Sequence, residues 1–176
     1  MENRKYHIDF DRQKDQAIEY LVGILKDARQ TTLQIVERLT EDEANWQYLP
    51  GWNTIGALLD HIAAIEHYFR IEFIEERKLT AEEEERWLPA MDMGPHLPKL
   101  ISIKSIDDYR VSLMESRKQL LAALEQVSFD DFIKRRADYD PVEGCNLAWV
   151  LYHMAEDEIY HRGQISIIRK LYKERN

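Results

Sequence analysis

The sequence predicts an all-α fold, a four-helix bundle with long connecting loops, and three observations carry that prediction. Apolar residues recur at helical steps of three and four through four long segments. No segment alternates with period two for long, and no Asn-Gly or Asp-Gly pair marks a hairpin. Turn-formers are scarce, with 6 Gly and 5 Pro among 176 residues. That length suits one domain, residues 1–176, with a full hydrophobic core.

The first helix is expected from about Asp11 to Leu39, where Ala17, Leu21, Leu25, Ala28, Leu33, Val36 and Leu39 hold close to one stripe. Thr40 and Glu43 then have capping-box spacing for a short second helix, and Pro50-Gly51 marks a turn. The next long helix starts near Asn53 or Thr54 and runs to about Lys78. Its broad apolar face comprises Ile55, Leu58, Leu59, Ile62, Ile65, Phe69, Phe73 and Ile74.

An acidic stretch from Ala81 to Glu85 leads into a breaker-rich segment, Leu88 to Leu100, holding Pro89, Gly94, Pro95 and Pro98. It reads as the longest loop, the kind that often forms a lid or binding loop. A third long helix opens at Ser105 and Asp108 and runs to about Val127, with Leu113, Leu120, Leu121 and Leu124 as its stripe. Residues 128–144 read as irregular, with one short helix around Asp130 to Lys134. Asn146 is a good N-cap for the last helix, which continues to about Lys173.

Composition narrows the function classes. With 44% hydrophobic residues the chain is too apolar for disorder. Its net charge of −9 repels phosphate backbones, and no basic stripe offsets it, so neither nucleic acid nor an anionic membrane is an expected partner. The single cysteine, Cys145, excludes an internal disulfide. Residues 1–15 lack the apolar core of a signal peptide, and no apolar run approaches the ~20 residues that span a bilayer. A cytoplasmic location is the expectation.

Chemistry in a bundle comes from polar side chains facing inward, because burying them is costly unless something compensates. His61 lies among Leu58, Ile62 and Ile65 on an apolar face. On the last helix His153, Asp157 and His161 follow one another at steps of four, which at ~100° per residue puts all three on one face. With a rise of ~1.5 Å per residue, His153 and His161 are ~12 Å apart, too far to share one ion. Spacing therefore leaves two sets open, Asp157 with His161 or His153 with Asp157. His67 lies ~240° round the helix from His61 and points elsewhere. One ligand from one helix and two from another would make a three-ligand site with an open position, the pattern of catalytic metal sites. Two imidazoles and a carboxylate suit Zn, Ni, Fe or Mn in the divalent state. Against this stand two metal-free readings: Asp157 pairs with Arg162 or Lys170, or His61, Asp157 and His161 form a hydrogen-bonded core network.

Two stretches resemble the DinB/YfiT-like family of four-helix-bundle metalloproteins. One runs from Gly51 and Trp52 through Thr54, Ile55 and Gly56 to His61 and Glu66. The other runs from His153 through Asp157 to His161, Arg162, Gly163 and Gln164. The resemblance implies His61, Asp157 and His161 as metal ligands. Most members have histidine where this chain has Asp157. A carboxylate there resembles the mycothiol-dependent maleylpyruvate isomerase branch, which uses glutamate. Aspartate is shorter by one methylene, so an ion would sit closer to the last helix or take an intervening water.

The resemblance further implies a small-molecule substrate or a low-molecular-weight thiol, reactions of the S-transfer, isomerase or hydrolase type, and a homodimer. The alternative it leaves is a non-catalytic metal-binding or stress-related dimer. Supporting parts are expected at His153 and Glu158, as groups orienting an imidazole, although Glu158 read by itself is a solvated charge. Gly163 is expected to allow close helix packing, and Gln164 to cap or bridge nearby backbone. Trp52, Trp149 and Tyr160 are expected to pack the bundle end, and Cys145 to be an ordinary thiol.

Overall fold

Capping chemistry sets most of the helix starts. The computed structural model describes residues 14–97, 104–136 and 144–175. Helix α1 spans Lys14–Val36 and is followed by the short α2, Glu41–Asn45. The expected capping box opens α2: the Thr40 hydroxyl accepts from the Glu43 N–H, and the Glu43 carboxylate accepts from the Thr40 N–H. Thr54 caps α3, Ile55–Phe69, accepting from the Ala57 N–H. Ser105 and Asp108 form the box that opens α5, Ile106–Leu124. Ser128 caps the short α6, Phe129–Ile133. Asn146 accepts from the Trp149 N–H at the start of α7, Leu147–Arg175.

Two expectations are corrected. The long second helix does not reach Lys78; after Phe69 it widens into a π-helical turn, Arg70–Ile74, and Glu76 leaves it with a positive φ of 48°. The segment Leu88 to Leu100 is not one loop either. Its first part belongs to helix α4, Ala81–Asp92, opened by a capping box between Thr80 and Glu83. Pro89 lies inside this helix, where the missing N–H and ring clash cost ~3 kcal/mol in isolation. Burial of Trp87 and Ala90 against the rest of the protein offsets that cost. A short 3₁₀ turn, Gly94–His96, follows; residues 98–100 lie outside the described ones. Seven α-helices thus stand among the described residues, and no strand, only an isolated bridge between Arg136 and Cys145.

The four longest helices pack cyclically. Helix α3 lies against α5 and α7, and α1 lies against α7 and α5. Helix α4 covers α3 from outside. Two apolar clusters fill the interior. One contains Val36, Leu58, Ile62, Leu113 and Ile165; the other contains Leu25, Ile65, Phe69, Leu120 and Met154. Between these levels of the same helices lies a buried polar layer: Arg29, Glu66, Ser116, Arg117 and Glu158.

Candidate metal centre

His61 sits in the second turn of α3, and Asp157 and His161 lie one turn apart on α7. Packing of α3 against α7 brings them together. His161 Nε2 is 3.2 Å from Asp157 Oδ1, and His61 Nε2 is 3.5 Å from Asp157 Oδ2. The two imidazoles meet edge to face, their centroids 4.9 Å apart. One ligand atom from each residue falls within 4.8 Å of the others. A tetrahedral ion with bonds of ~2.0–2.1 Å separates its ligand atoms by ~3.3 Å, close to the two nitrogen-to-oxygen separations of 3.2 and 3.5 Å.

The outer ring nitrogens fix the orientation. His61 Nδ1 is 2.8 Å from the carbonyl oxygen of Ala90, and His161 Nδ1 is 2.9 Å from Gln164 Oε1. Both partners are acceptors, so each Nδ1 carries the proton. In the neutral imidazoles both Nε2 lone pairs then face the Asp157 carboxylate. Lone pairs do not attract a carboxylate, so this arrangement favours a cation between them: a proton on a ring, or a metal ion.

The electrostatics follow this geometry. Burial pushes the Asp157 carboxyl up, but hydrogen bonds and charge from His161 and His61 outweigh it and hold it well below the usual carboxylate range. Burial pulls His161 down, but Asp157, with help from Gln164, outweighs it and leaves the imidazole above its ordinary value. Both imidazoles are buried, while 16% of the Asp157 side chain remains exposed, which leaves one edge of the trio open to solvent.

Position separates the members of the two candidate sets. His153 does not join the trio; it stacks on Trp149, meets Phe69 edge-on and lies 3.4 Å from Glu156. Asp157 turns to the histidines rather than to Arg162, which donates to the Ala28 carbonyl, or Lys170, which lies near Glu174. Glu158 is not solvated but 1% exposed, bonded to Arg29 and Arg117. Gly163 is exposed, and a Cβ there would meet nothing within 4 Å, so it is not a packing glycine. Trp149 is buried as expected, but Trp52 and Tyr160 lie at the surface, Tyr160 against the edge of His161. Gln164 bridges a side chain, His161, rather than backbone. Cys145 is buried and its carbonyl accepts from Arg136.

Periodicity gave no sign of Ala90, because a backbone carbonyl carries no side-chain signature. The buried arginines did leave one: Arg29 lies four residues after Leu25, and Arg117 four after Leu113, each a charge within an apolar stripe.

The sequence pattern of the DinB superfamily matches residues 24–165, which is most of the chain and includes every residue of the trio. This chain belongs to the DinB superfamily. No curated protein matches it. Within the DinB fold the chain supplies a His/Asp/His cluster at the junction of α3 and α7, with Ala90 of α4 and Gln164 of α7 as its outer supports. No helix among the described residues is long and apolar enough to cross a membrane.

Proposed function

We propose that this DinB-superfamily protein binds a divalent transition metal through His61, Asp157 and His161, and uses it as an enzyme of the thiol S-transferase, isomerase or hydrolase type. One observation carries the metal: two Nε2 lone pairs, each fixed by an acceptor on Nδ1, converge on one carboxylate. The four longest helices are read as the family's bundle, with α2, α4 and α6 as additions to it. Zn, Ni, Fe and Mn all suit this donor set. When bound, such a metal lowers the pKa of a coordinated thiol or water and so supplies a nucleophile near neutral pH.

The protein's own contribution is orientation and access. Ala90 and Gln164 hold the imidazoles, and Asp157 adds a negative charge that favours a cation. Three protein ligands leave a coordination position for substrate, and the exposed edge of Asp157 offers the approach. These features favour a catalytic over a purely structural role. The exposed Tyr152, Ile159 and Ile167 of α7 support the pairing of two copies through helices.

Elemental analysis of the purified protein tests the metal, with His61→Ala and His161→Ala as controls. About one ion per chain is expected in the wild type and little in either variant; equal content in all three removes the site. Metal-dependent consumption of a low-molecular-weight thiol with an electrophile such as a haloarene tests the activity. A metal-loaded protein inert across a panel of thiols, electrophiles and metals would leave the non-catalytic reading.

A further inference from the structure

Each of the four longest helices contributes one buried charge to a single cluster: Arg29 from α1, Glu66 from α3, Arg117 from α5 and Glu158 from α7. Their exposures are 4, 2, 6 and 1%. Arg29 Nε donates to Glu158 Oε1 at 2.9 Å, and its Nη2 lies 3.2 Å from Glu66 Oε2. Arg117 Nε donates to Glu66 Oε1 at 2.5 Å, and its Nη2 to Glu158 Oε2 at 3.0 Å. Each arginine thus pairs with both glutamates. The remaining nitrogen of each guanidinium is also used: Arg29 reaches the Leu113 carbonyl, four residues before Arg117, and Arg117 reaches the Leu25 carbonyl, four residues before Arg29. The Ser116 hydroxyl donates to Glu66 at 2.7 Å.

A cluster this well satisfied is still a weak source of net stability. Taking four charges out of water cancels much of their mutual attraction, and apolar replacements of similar volume are often neutral or stabilising. What charges supply that apolar groups do not is direction. Bidentate guanidinium–carboxylate pairs add geometric specificity to their energy, whereas hydrophobic attraction is itself non-directional.

The placement gives that direction a use. Glu158 adjoins Asp157 and lies three residues before His161, while Glu66 lies five after His61 on α3. With side chains a helix has a radius of ~5–6 Å, so turning α7 by ~20° would move a ligand atom by ~2 Å. Metal–ligand distances tolerate only ~0.2 Å.

We infer that the Arg29–Glu66–Arg117–Glu158 cluster is the positioning device of the neighbouring trio, fixing the mutual rotation of α3 and α7 that brings His61 to Asp157 and His161. The four are positioning residues, none within the trio itself. The effect on metal affinity rests on the proposed metal centre; the effect on ring-to-ring distance does not.

The test replaces the cluster with apolar residues of similar length, Arg29→Met, Glu66→Leu, Arg117→Met and Glu158→Leu together, in the full chain. Three properties are read: thermal stability, the nuclear Overhauser effect between the His61 and His161 rings in metal-free protein, and Zn²⁺ affinity by chelator competition. The expected variant is folded, with Tm kept or raised, but has lost the ring-to-ring signal and binds Zn²⁺ at least about tenfold more weakly. A folded variant with the signal and affinity of the wild type overturns the inference.

Should the quadruple variant fail to fold, Glu158→Gln is compared with Phe132→Leu, a core change in α6 chosen as the Tm-matched control. Loss of the ring signal in Glu158→Gln alone supports positioning; equal behaviour of the two overturns it. Wild-type protein that shows the ring signal but no Zn²⁺ binding would defeat the metal reading while the positioning result stands.

Discussion

His161 and Gln164 lie one helical turn apart on α7, and the 2.9 Å contact from His161 Nδ1 to Gln164 Oε1 turns the Nε2 lone pair toward Asp157. An outer hydrogen bond of this kind both fixes the tautomer and raises ligand basicity. Gln164→Ala is therefore expected to weaken metal binding by about 10-fold or more, with little change in fold. Chelator competition gives the affinity and circular dichroism the fold. An affinity equal to wild type would show that Gln164 does not orient the ring.

Asp157 is the charge that both imidazoles face. Replacing it with Asn keeps the shape and removes the charge. In metal-free Asp157→Asn the His161 imidazole loses the carboxylate that does most to raise it and keeps only Gln164 against burial, so it should titrate lower than in the wild type. Side-chain nitrogen shifts followed against pH measure this. Metal content in the same variant should fall, because a neutral amide is a poor ligand beside a carboxylate. An unchanged His161 titration would contradict the contact.

His67 provides a second, independent pH signal. It stacks on Trp87, with ring centroids 4.1 Å apart, and lines a groove of about 840 Å³ that also holds Arg70, Arg86 and Lys104. Burial, then the positive charges of Arg70 and Arg86, lower its pKa to about 4. The native state therefore favours neutral His67, and the unfolded chain takes up its proton near pH 6.5. Stability from this group is full above pH 6.5 and is lost as the pH falls toward 4, by a few kcal/mol at most (~1.4 kcal/mol per pH unit). His67→Phe should flatten that part of the acid unfolding curve. A variant curve parallel to wild type between pH 6.5 and 4 would show another group responsible.

Gly56 and Gly163 make opposite predictions for the same substitution. A Cβ on Gly56 would lie 2.2 Å from the hydroxyl of Tyr109, a buried ring whose OH donates to Asn45 Oδ1 at 3.1 Å. Gly56→Ala should destabilise by ~1–3 kcal/mol through overpacking. Gly163→Ala meets nothing and should stabilise by ~0.5–1 kcal/mol, as Gly is costly inside a helix. For a chain of this size each kcal/mol moves Tm by about 2–4 °C, which calorimetry resolves. A stabilised Gly56→Ala would refute the packing assigned to Gly56, and a destabilised Gly163→Ala the open space assigned to Gly163.

Most helix boundaries were legible because their causes are local. Thr40, Ser105 and Asn146 carry their capping partners within three residues, and the apolar stripes follow from a fixed helical period. Helix α4 was not legible, since Pro89 is a local breaker and only the burial of Trp87 and Ala90 against distant elements outweighs it. The π-helical turn at Arg70–Ile74 had no local signal either.

The trio from the opening residues of α3 and the middle of α7 divides in the same way. By itself the sequence determined that Asp157 and His161 share a helix face and that His61 points inward, because both follow from residue spacing. Spacing could not choose between His153 and His161, nor orient any imidazole. Those choices belong to the tertiary structure: the Ala90 carbonyl arrives from α4, and Glu158 is drawn into the core by Arg29 and Arg117 from helices far away in the chain. A helix carries its own periodicity, but its rotation against a neighbour is set only by what that neighbour presents.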